Sequence, residues 1–417
     1  MISSNEDMKW ILVMACFLFS ASSSVAKTWT VGPHRAIQTI QSALDHAAAF
    51  DSIQVEKGMY KEKTIVISKP VTLIGIEDPI IDGDNKYEII IITSDNVSIS
   101  GFAIRHSGFS GYMDIAAIRI VNARKVTIRN NKIDDCFFGI FSQHAVNCLI
   151  SENQIHSNAS SEINSANGIH CWKSDSLNIV GNTISGHRDG IYFEFVTNSL
   201  IQGNKSFANV RYGLHFMFSN DDQYVENEFR DNGAGVAVMF SHGVTMLKNH
   251  FEDNWGSAAY GLLLKEITDS RIRGNRFVRN TTGIFMEGTA RIQVEKNLFK
   301  DNGWALRIQA SCTDNTIISN NFISNTFDVA TNGSLVLNTF NENFWDKYEG
   351  YDLNHDGTGD IPYRPVTLYS MLTERNPTTM ILFRSFMVSL LDKSEKLMPS
   401  VTPENLKDSK PRMKMIR

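Results

Sequence analysis

A five-residue phrase decides the fold of this chain: GIYFE at 190–194 returns as GLHFM at 213–217 and as GVAVM at 235–239. Further copies are GIFSQ at 139–143, GIHCW at 168–172, GLLLK at 261–265, GIFME at 283–287 and ALRIQ at 305–309. A period in the low twenties with strand-like alternation is typical of a solenoid, in which neighbouring repeats share a core. A leucine-rich repeat would need regular leucine spacing, which this chain lacks. We therefore predict an all-β fold, a right-handed parallel β-helix.

The aligned phrases predict which side chains are neighbours, because residues one period apart lie one strand spacing apart, about 4.8 Å. The second and fourth positions are apolar except for Ser142, so they should point into the coil. Alternation then directs the third and fifth positions outward. The third is Phe141, His170, Tyr192, His215, Ala237, Leu263, Phe285 and Arg307, and the fifth is Gln143, Trp172, Glu194, Met217, Met239, Lys265, Glu287 and Gln309.

An Asn recurs once in each coil, at Asn131, Asn153, Asn182, Asn204, Asn227, Asn249, Asn275, Asn297 and Asn320. Asn tolerates left-handed backbone and hydrogen-bonds to nearby main chain, which suits a corner between strands. Stacked Asn side chains can also bond to one another along the column. We predict a structural role for this ladder.

Composition divides the 417 residues into six segments. They are a signal peptide at 1–26, an N-terminal cap with the first coils at 27–114, the repeats at 115–345, an Asp/Asn/Gly-rich closing loop at 346–365, a helical docking or capping segment at 366–401 and a disordered tail at 402–417. Residues 36–44 form an amphipathic pattern, and a helix there would cap the open end of the core. The tail is rich in Lys, Asp and Pro, which is typical of disorder.

The N-terminus has the pattern of a secretory signal. Lys9 precedes an apolar run at 10–21, and small residues at 24–26 fit a cleavage site. The run is too short for a good membrane span, so we predict an exported protein. A net charge of −5 gives no electrostatic case for nucleic acid. The cysteines that remain after cleavage neither prove nor exclude a disulfide; they are Cys136, Cys148, Cys171 and Cys312.

The outward positions bring soft metal ligands together. Met217 and Met239 should stack one coil apart, and His215 lies two residues before Met217 on the same face. The candidate ligands are His215, Met217, Met239 and His242. Thioether and imidazole together favour copper, Cu(I) in particular. The alternative is a protein docking surface with adaptable Met contacts, which Trp172 and Glu194 would extend.

A second candidate metal site follows the repeats. The run D-x-N-x-D-G-x-G-D places oxygen ligands at alternate positions, and the candidates are Asp352, Asn354, Asp356 and Asp360. This spacing suits calcium. The twelfth position is Tyr363, so the usual bidentate Glu is missing. A turn rich in Asp and Asn without metal is the alternative.

An apolar stretch at 380–391 lies in the C-terminal segment. It is too short to span a bilayer. It could cap the solenoid, lie on a membrane surface or dock on a membrane protein. The candidate docking residues are Phe383, Phe386, Met387 and Leu390.

No pair of carboxylates suggests catalysis. Glu194 and Glu287 are four coils apart, too far to cooperate. Asp189 and Asp222 are expected in turns, where Asp is common for backbone reasons. We predict that the protein is not an enzyme. The alternative is a secreted carbohydrate-binding or polysaccharide-cleaving β-helix.

The chain resembles the NosD family over nearly its whole mature length. The resemblance lies in DGIYFEFV at 189–196, RYGLHFMFS at 211–219, GAGVAVM at 233–239, YGLLLKE at 260–266, DVATNG at 328–333, YEGYD at 348–352, PYRP at 362–365 and LYSML at 368–372. The coil repeat is shared by many carbohydrate-acting β-helices, whereas LHFMF and the C-terminal block are much more specific.

This resemblance implies a periplasmic accessory protein for the maturation of nitrous oxide reductase. NosD proteins work with an ABC transporter, made of the ATPase NosF and the membrane subunit NosY, and with the copper chaperone NosL. Together they supply copper, or a sulfur species, to the apo reductase. The resemblance further implies membrane association through a partner, with the C-terminal helix docked on the membrane subunit.

Overall fold

Each coil contains three short strands separated by tight corners, and strands of successive coils pair in parallel. The computed structural model describes residues 26–256, 259–333, 337–383, 385–397 and 406–416. The predicted signal peptide lies outside these residues, apart from Ala26. Among the described residues, sheet 1 has 12 strands, sheet 2 has 14 and sheet 3 has 13. The predicted parallel β-helix is confirmed.

The strands of the three sheets follow one another in every coil. Sheet 1 consists of Ile65–Ile67, Ile90–Ile92, Ala116–Val121, Phe138–Gln143, Asn167–Trp172, Asp189–Glu194, Tyr212–Met217, Ala234–Met239, Leu262–Lys265, Thr282–Glu287, Trp304–Ile308 and Phe327–Ala330. Sheet 2 consists of Thr28–Val31, Ser52–Val55, Thr72–Gly75, Ser98–Ser100, Thr127–Arg129, Leu149–Ser151, Asn178–Val180, Leu200–Gln202, Gln223–Val225, Thr245–Leu247, Arg271–Arg273, Gln293–Glu295, Thr313–Ile318 and Leu337–Asn341. Sheet 3 consists of Met59–Tyr60, Ile80–Asp82, Ala103–Arg105, Lys132–Asp134, Gln154–His156, Thr183–Ser185, Lys205–Phe207, Glu228–Arg230, His250–Glu252, Arg276–Val278, Leu298–Lys300, Asn321–Ile323 and Phe344–Trp345.

The repeated phrase lies in sheet 1, in the predicted register. Leu214 pairs with Ile191 on one side and with Val236 on the other. The second and fourth positions are buried inside the coil, as alternation predicts. Gly opens the phrase because adjacent coils approach closely there. A Cβ atom on Gly213 would lie 2.7 Å from the carbonyl oxygen of Gly235.

The predicted Asn ladder lies at the corner between sheets 2 and 3. The side-chain amide of Asn227 donates to the side-chain oxygen of Asn249 at 2.9 Å and to the carbonyl oxygen of Ile201 at 2.8 Å. Its side-chain oxygen accepts from the backbone N–H of Asn204 at 2.9 Å. The ladder thus satisfies buried main-chain groups at the corner. A second ladder, between sheets 3 and 1, was not predicted and consists of Asn209, Asn232, Asn254, Asn280, Asn302 and Asn325.

Aromatic rings from sheet 3 form a stack inside the coil. Its members are Phe229, Phe251, Phe277, Phe299, Phe322 and Trp345, with centroid distances between 4.1 and 5.5 Å. Each contact of this kind stabilises by about 0.5–1.5 kcal/mol beyond area burial. Repetition of the period therefore builds one continuous core.

A helix closes the N-terminal end of the core, as predicted, but it spans Ile40–His46 and not 36–44. Thr39 is its N-cap, and the Glu62 carboxylate accepts the backbone N–H of Ile40 at 2.6 Å. A carboxylate there complements the helix dipole. Ile40, Ala43 and Leu44 are buried against the first coils.

The C-terminal segment contains the helix Leu368–Arg375, the 3-10 helix Pro377–Leu382 and the helix Phe386–Leu397. The Thr367 side chain caps the first helix by accepting from the backbone N–H of Ser370. Within the part of the chain that the structure describes, no helix is long and apolar enough to cross a membrane.

The predicted disorder of the tail at 402–417 is wrong for residues 406–416, which return to the open end of the solenoid. Asp408 is fully buried. It takes the place of the next Asn in the ladder, because its carboxylate accepts from the side-chain amide of Asn343 at 3.0 Å. The indole N–H of Trp345 donates to the same oxygen at 3.0 Å. The polar tail is ordered since it supplies acceptors that the last coil lacks.

Candidate metal site and docking surfaces

Two methionines lie side by side on the outer surface of sheet 1. Met217 ends its strand, and Met239 pairs with it in register on the next strand. Both side chains are half-buried. The Tyr192 hydroxyl donates to the Met217 sulfur at 3.5 Å and so positions that thioether. The pair presents two soft donors from adjacent strands.

His215 lies on the same face, two residues before Met217, but is only 6% exposed. Two tyrosine rings enclose it, with centroid distances of 4.9 Å to Tyr192 and 4.8 Å to Tyr212. Neither ring nitrogen has a hydrogen-bond partner among the described residues. Buried polar atoms normally have such a partner. An imidazole without a hydrogen-bond partner lies on the same face as two thioethers, and these are donor types that Cu(I) prefers.

A buried carboxylate lies behind His215. Asp189 Oδ2 is 3.8 Å from His215 Nδ1, and the Arg211 guanidinium donates to Asp189 at 2.8 Å and 2.5 Å. Burial would raise the pKa of Asp189, but the Arg211 hydrogen bonds outweigh it and hold the pKa below its usual value. Asp189 is thus a carboxylate placed behind the ring, on the Nδ1 side of His215.

The third position of the phrase points outward, as predicted, but much of it is covered. Phe141, His215, Ala237 and Leu263 are at most 8% exposed. In three coils the residue before the opening Gly contacts the side chain at this position, and one of these contacts is that of Asn167 with His170. Phe138 stacks on Phe141 at 5.4 Å, and Tyr212 contacts His215. The fifth position is therefore the more accessible row.

The structure places His242 apart from the other three predicted ligands. The chain turns at Phe240, which has a left-handed φ of 54°. His242 then forms a bridge with Thr268 in the corner, and its side chain is exposed. We therefore leave His242 out of the copper site that we propose below.

Trp172 and Glu194 occupy the fifth position of the phrase in the two coils before Met217, on the side away from Met239. Trp172 pairs with Glu194, which pairs with Met217. The Lys173 ammonium lies 4.5 Å from the Trp172 ring. A pocket beside them is lined by Asp114, Phe141, Gln143, His170, Trp172 and Glu194. Burial lowers the pKa of His170 to about 3, so this end of the face carries a neutral imidazole.

The loop predicted as a calcium site directs its oxygens toward its own backbone. Its predicted ligands are Asp352, Asn354, Asp356 and Asp360. The Asp352 carboxylate accepts from the backbone N–H of Gly357 at 2.9 Å, and Asp360 accepts from Leu353 at 2.7 Å. Nowhere in the described ranges do three or more His, Cys, Asp or Glu side chains form a group that could hold a metal ion. These contacts are those of a turn rich in Asp and Asn, and the calcium site stays a prediction.

The C-terminal segment packs on the last coils and leaves an apolar rim exposed. Glu374 anchors its first helix, because Arg307 donates to it at 2.8 Å and 2.9 Å. Val388 of the last helix is buried. The exposed rim consists of Phe383, Phe386, Met387 and Leu390, with Phe386 82% exposed. The segment thus caps the solenoid and still presents an apolar surface.

Two carboxylates differ from the sequence-based expectation. Asp189 begins the strand Asp189–Glu194 and so is not the turn residue that was predicted. Asp222 does lie at a corner, where it accepts from the backbone N–H of Ser199, but both carboxylates are fully buried, which was not expected. Arg211 was not identified either, although it follows Asp189 by 22 residues, one period. Because Asp189 and Arg211 are one period apart, the repeat alone could have predicted that they are neighbours. The four cysteines that remain after the predicted cleavage are free and buried.

Two solved structures with similar folds are named as a mannuronan epimerase and a glucanase. The A-module of a mannuronan C-5 epimerase from Azotobacter vinelandii has a TM-score of 0.51 at 16% identity and covers 73% of this chain and 88% of that chain. The catalytic domain of an α-1,3-glucanase in complex with nigerose has a TM-score of 0.52 at 12% identity, over 78% and 70% of the two chains. At such identities the likeness shows the fold alone.

Sequence relatives are more specific. A family model described as periplasmic copper-binding protein (NosD) matches residues 151–350. A Pseudomonas aeruginosa protein named probable ABC transporter binding protein NosD is 30% identical over 369 residues, which is 84% of this chain and 85% of the relative. A Stutzerimonas stutzeri protein of the same name is 26% identical over 84% of each chain. The chain belongs to the NosD family.

Proposed function

We propose that this chain is an exported periplasmic accessory protein, not an enzyme, that serves the maturation of nitrous oxide reductase. Two kinds of comparison support this role. The family model is described as a periplasmic copper-binding protein, and both relatives are named as ABC transporter binding proteins. In this role copper is cargo that the protein holds transiently and passes on, alone or with a sulfur species.

The observation that carries the proposal is the environment of His215. Both of its ring nitrogens are buried without a hydrogen-bond partner among the described residues, on the face that carries Met217 and Met239. One imidazole and two thioethers are donors that Cu(I) prefers over harder ions. Asp189 would orient the imidazole in a carboxylate–histidine–metal arrangement.

The partners in this proposal are the transporter subunits NosY and NosF, the chaperone NosL and the apo reductase. The exposed rim at Phe386 and Leu390 supports docking of the C-terminal segment on the membrane subunit, because an apolar patch held on a rigid anchor is typical of an interface. The outer surface of sheet 1, with Trp172 and Glu194, would then receive the chaperone or the reductase.

Cu(I) binding to the mature chain, measured by competition with a chromophoric chelator, tests the cargo site. We expect wild type to bind one Cu(I) and His215→Ala/Met217→Leu/Met239→Leu to bind at least tenfold more weakly, a loss of about 1.4 kcal/mol or more. His242→Ala is the matched control. It removes a predicted ligand that the structure places off the face, so it should leave the affinity unchanged.

Two results would contradict the proposed site. One is a wild-type chain that does not compete for Cu(I). The other is a triple variant that binds as wild type does, which would place the copper elsewhere. Thermal unfolding of each variant verifies that lost binding does not reflect lost folding.

A further inference from the structure

The imidazole of His215 is closed off from solvent on the outer surface of sheet 1. The residue is 6% exposed, and both ring nitrogens are buried without a hydrogen-bond partner among the described residues. A metal ion binds imidazole along the lone pair of a ring nitrogen, at about 2 Å. In the closed arrangement no ion can approach that closely, so a covering group has to move before His215 can bind one.

Two tyrosine rings cover His215, and only one of them is fixed by its hydroxyl group. The Tyr192 hydroxyl donates to the Met217 sulfur at 3.5 Å, so that ring cannot swing without losing the bond. The Tyr212 hydroxyl has no hydrogen-bond partner in the part of the chain that the structure describes. The backbone N–H of Tyr212 donates to Asp189 at 3.3 Å. The main chain of Tyr212 is therefore held in place, whereas its side chain is free to rotate.

An open pocket of about 340 Å³ adjoins the Tyr212 ring. Its walls include the small residues Gly233 and Ala234 and the Trp255 indole, and Ala234 pairs in register with Tyr212. Benzene fits a cavity of about 150 Å³, so this pocket has room for a phenol ring. The Arg211 guanidinium lies 5.1 Å from the ring and also lines the pocket, so rotation keeps the ring near that cation. The pocket is therefore an alternative position for the ring.

A second imidazole in the same row of sheet 1 has a different neighbour. Asn167 precedes the opening glycine in the coil of His170, and its side-chain amide donates to Nδ1 of His170 at 3.0 Å. In the coil of His215 the same position is Tyr212, which covers the imidazole at 4.8 Å but forms no hydrogen bond with it. The cover over His215 thus leaves the polar atoms of the ring unsatisfied, which a purely structural neighbour would not do.

We propose that Tyr212 is a gate over His215. Its ring rotates into the pocket beside Trp255 to admit an incoming ion and then rotates back over the imidazole. Trp255 is 55% exposed and offers the open ring an aromatic partner. Closure excludes water from the bound ion. The identity of the ion as Cu(I) rests on the proposed function, whereas the movement of the ring does not require copper.

Diethyl pyrocarbonate acylates accessible histidines, and mass spectrometry of peptides from the metal-free mature chain follows the rate at each one. Minor conformers are populated about 0.1–10% of the time, so removal of the ring in Tyr212→Ala should accelerate modification of His215 at least tenfold. Tyr212→Phe keeps the ring and should restore the slow wild-type rate. Ala234→Leu narrows the pocket and should slow the modification below that of wild type. The exposed His34 is the internal control, with one rate in all four proteins.

Four outcomes would overturn the gate. Equal rates at His215 in Tyr212→Ala and wild type would mean that the ring does not limit access. A rate in Tyr212→Phe as fast as in Tyr212→Ala would assign the cover to the hydroxyl group. A wild-type rate in Ala234→Leu would mean that the ring does not open into the pocket. Faster modification of the fully buried His187 in Tyr212→Ala would show that the coil itself has loosened, which would make the ring a packing residue.

Stopped-flow transfer of Cu(I) from a chelator separates this inference from the proposed function. A gate changes the path to the site and not its ligands, so Tyr212→Ala should load and release Cu(I) at least tenfold faster, at an affinity within about threefold of wild type. If the chain binds no Cu(I) but the expected pattern of His215 acylation holds, the copper site fails and the gate stands. If His215→Ala weakens Cu(I) binding while Tyr212→Ala changes neither rate, the gate fails and the copper site stands.

Discussion

Asp222→Asn should stabilise the protein at neutral pH. Asp222 is fully buried, and one of its carboxylate oxygens accepts from the backbone N–H of Ser199 at 2.8 Å. The other oxygen has no hydrogen-bond partner among the described residues. Asn315 fills the equivalent corner position in a later coil, where its oxygen accepts from Ile292 at 2.9 Å. An amide is therefore compatible with this site.

The magnitude follows from the pKa of Asp222, which burial raises from 3.8 to about 8. Between these values the folded protein retains a proton that the unfolded chain has released. The contribution of Asp222 to the free energy of unfolding is therefore complete below pH 4 and declines as pH rises toward 8. At about 1.4 kcal/mol per unit, the wild-type protein at pH 7 has lost about 4 kcal/mol of this stability. An uncharged Asn at the same position does not lose it.

Thermal unfolding by circular dichroism between pH 4 and pH 8.5 measures this difference. With an unfolding entropy of about 2.1 cal/mol/K per residue, 4 kcal/mol corresponds to about 5 °C in Tm for a chain of this length. The Tm advantage of Asp222→Asn should be near zero at pH 4 and reach this value at pH 7. Asp301→Asn, at an exposed corner of a later coil, is the control. An advantage that is independent of pH, or that grows toward low pH, would refute the reasoning.

Three further outcomes are expected. Asp408→Ala should destabilise the protein by about 3 kcal/mol in urea or thermal unfolding, because several buried donors lose their acceptor at once; an unchanged Tm would mean that the tail does not cap the solenoid. Asp189→Asn should weaken Cu(I) binding about 10–100-fold by chelator competition, with Asp175→Asn as the unaffected control. Phe386→Ser/Leu390→Ser should abolish co-purification with the transporter membrane subunit at unchanged Cu(I) affinity, and retained co-purification would remove the C-terminal rim from the interface.

The repeat made most of the fold predictable. Because one period equals one strand spacing, the alignment that places Met217 over Met239 also places Asn227 over Asn249, and both registers are confirmed. Inward and outward positions followed from alternation alone. These features depend on local geometry that every coil repeats.

Features that depend on one coil differing from its neighbours were harder to predict. The burial of His215 depends on Tyr212, which lies before the glycine that opens the phrase and was left out of the alignment. The order of the tail depends on Asp408 reaching the end of a ladder 65 residues earlier in the chain. The polar composition of the tail indicates that the segment can be solvated. Composition does not show that one of its carboxylates accepts hydrogen bonds from buried donors of the last coil.

A copper site shared by His215 and the two methionines is the central claim. X-ray absorption at the copper edge of the Cu(I)-loaded mature chain tests this claim most directly. We predict a mixed first shell of sulfur and imidazole nitrogen in wild type. Met217→Leu/Met239→Leu should lose the sulfur contribution, and His215→Ala should lose the imidazole signal. A wild-type spectrum without sulfur scattering, or one that these substitutions leave unchanged, would contradict the account.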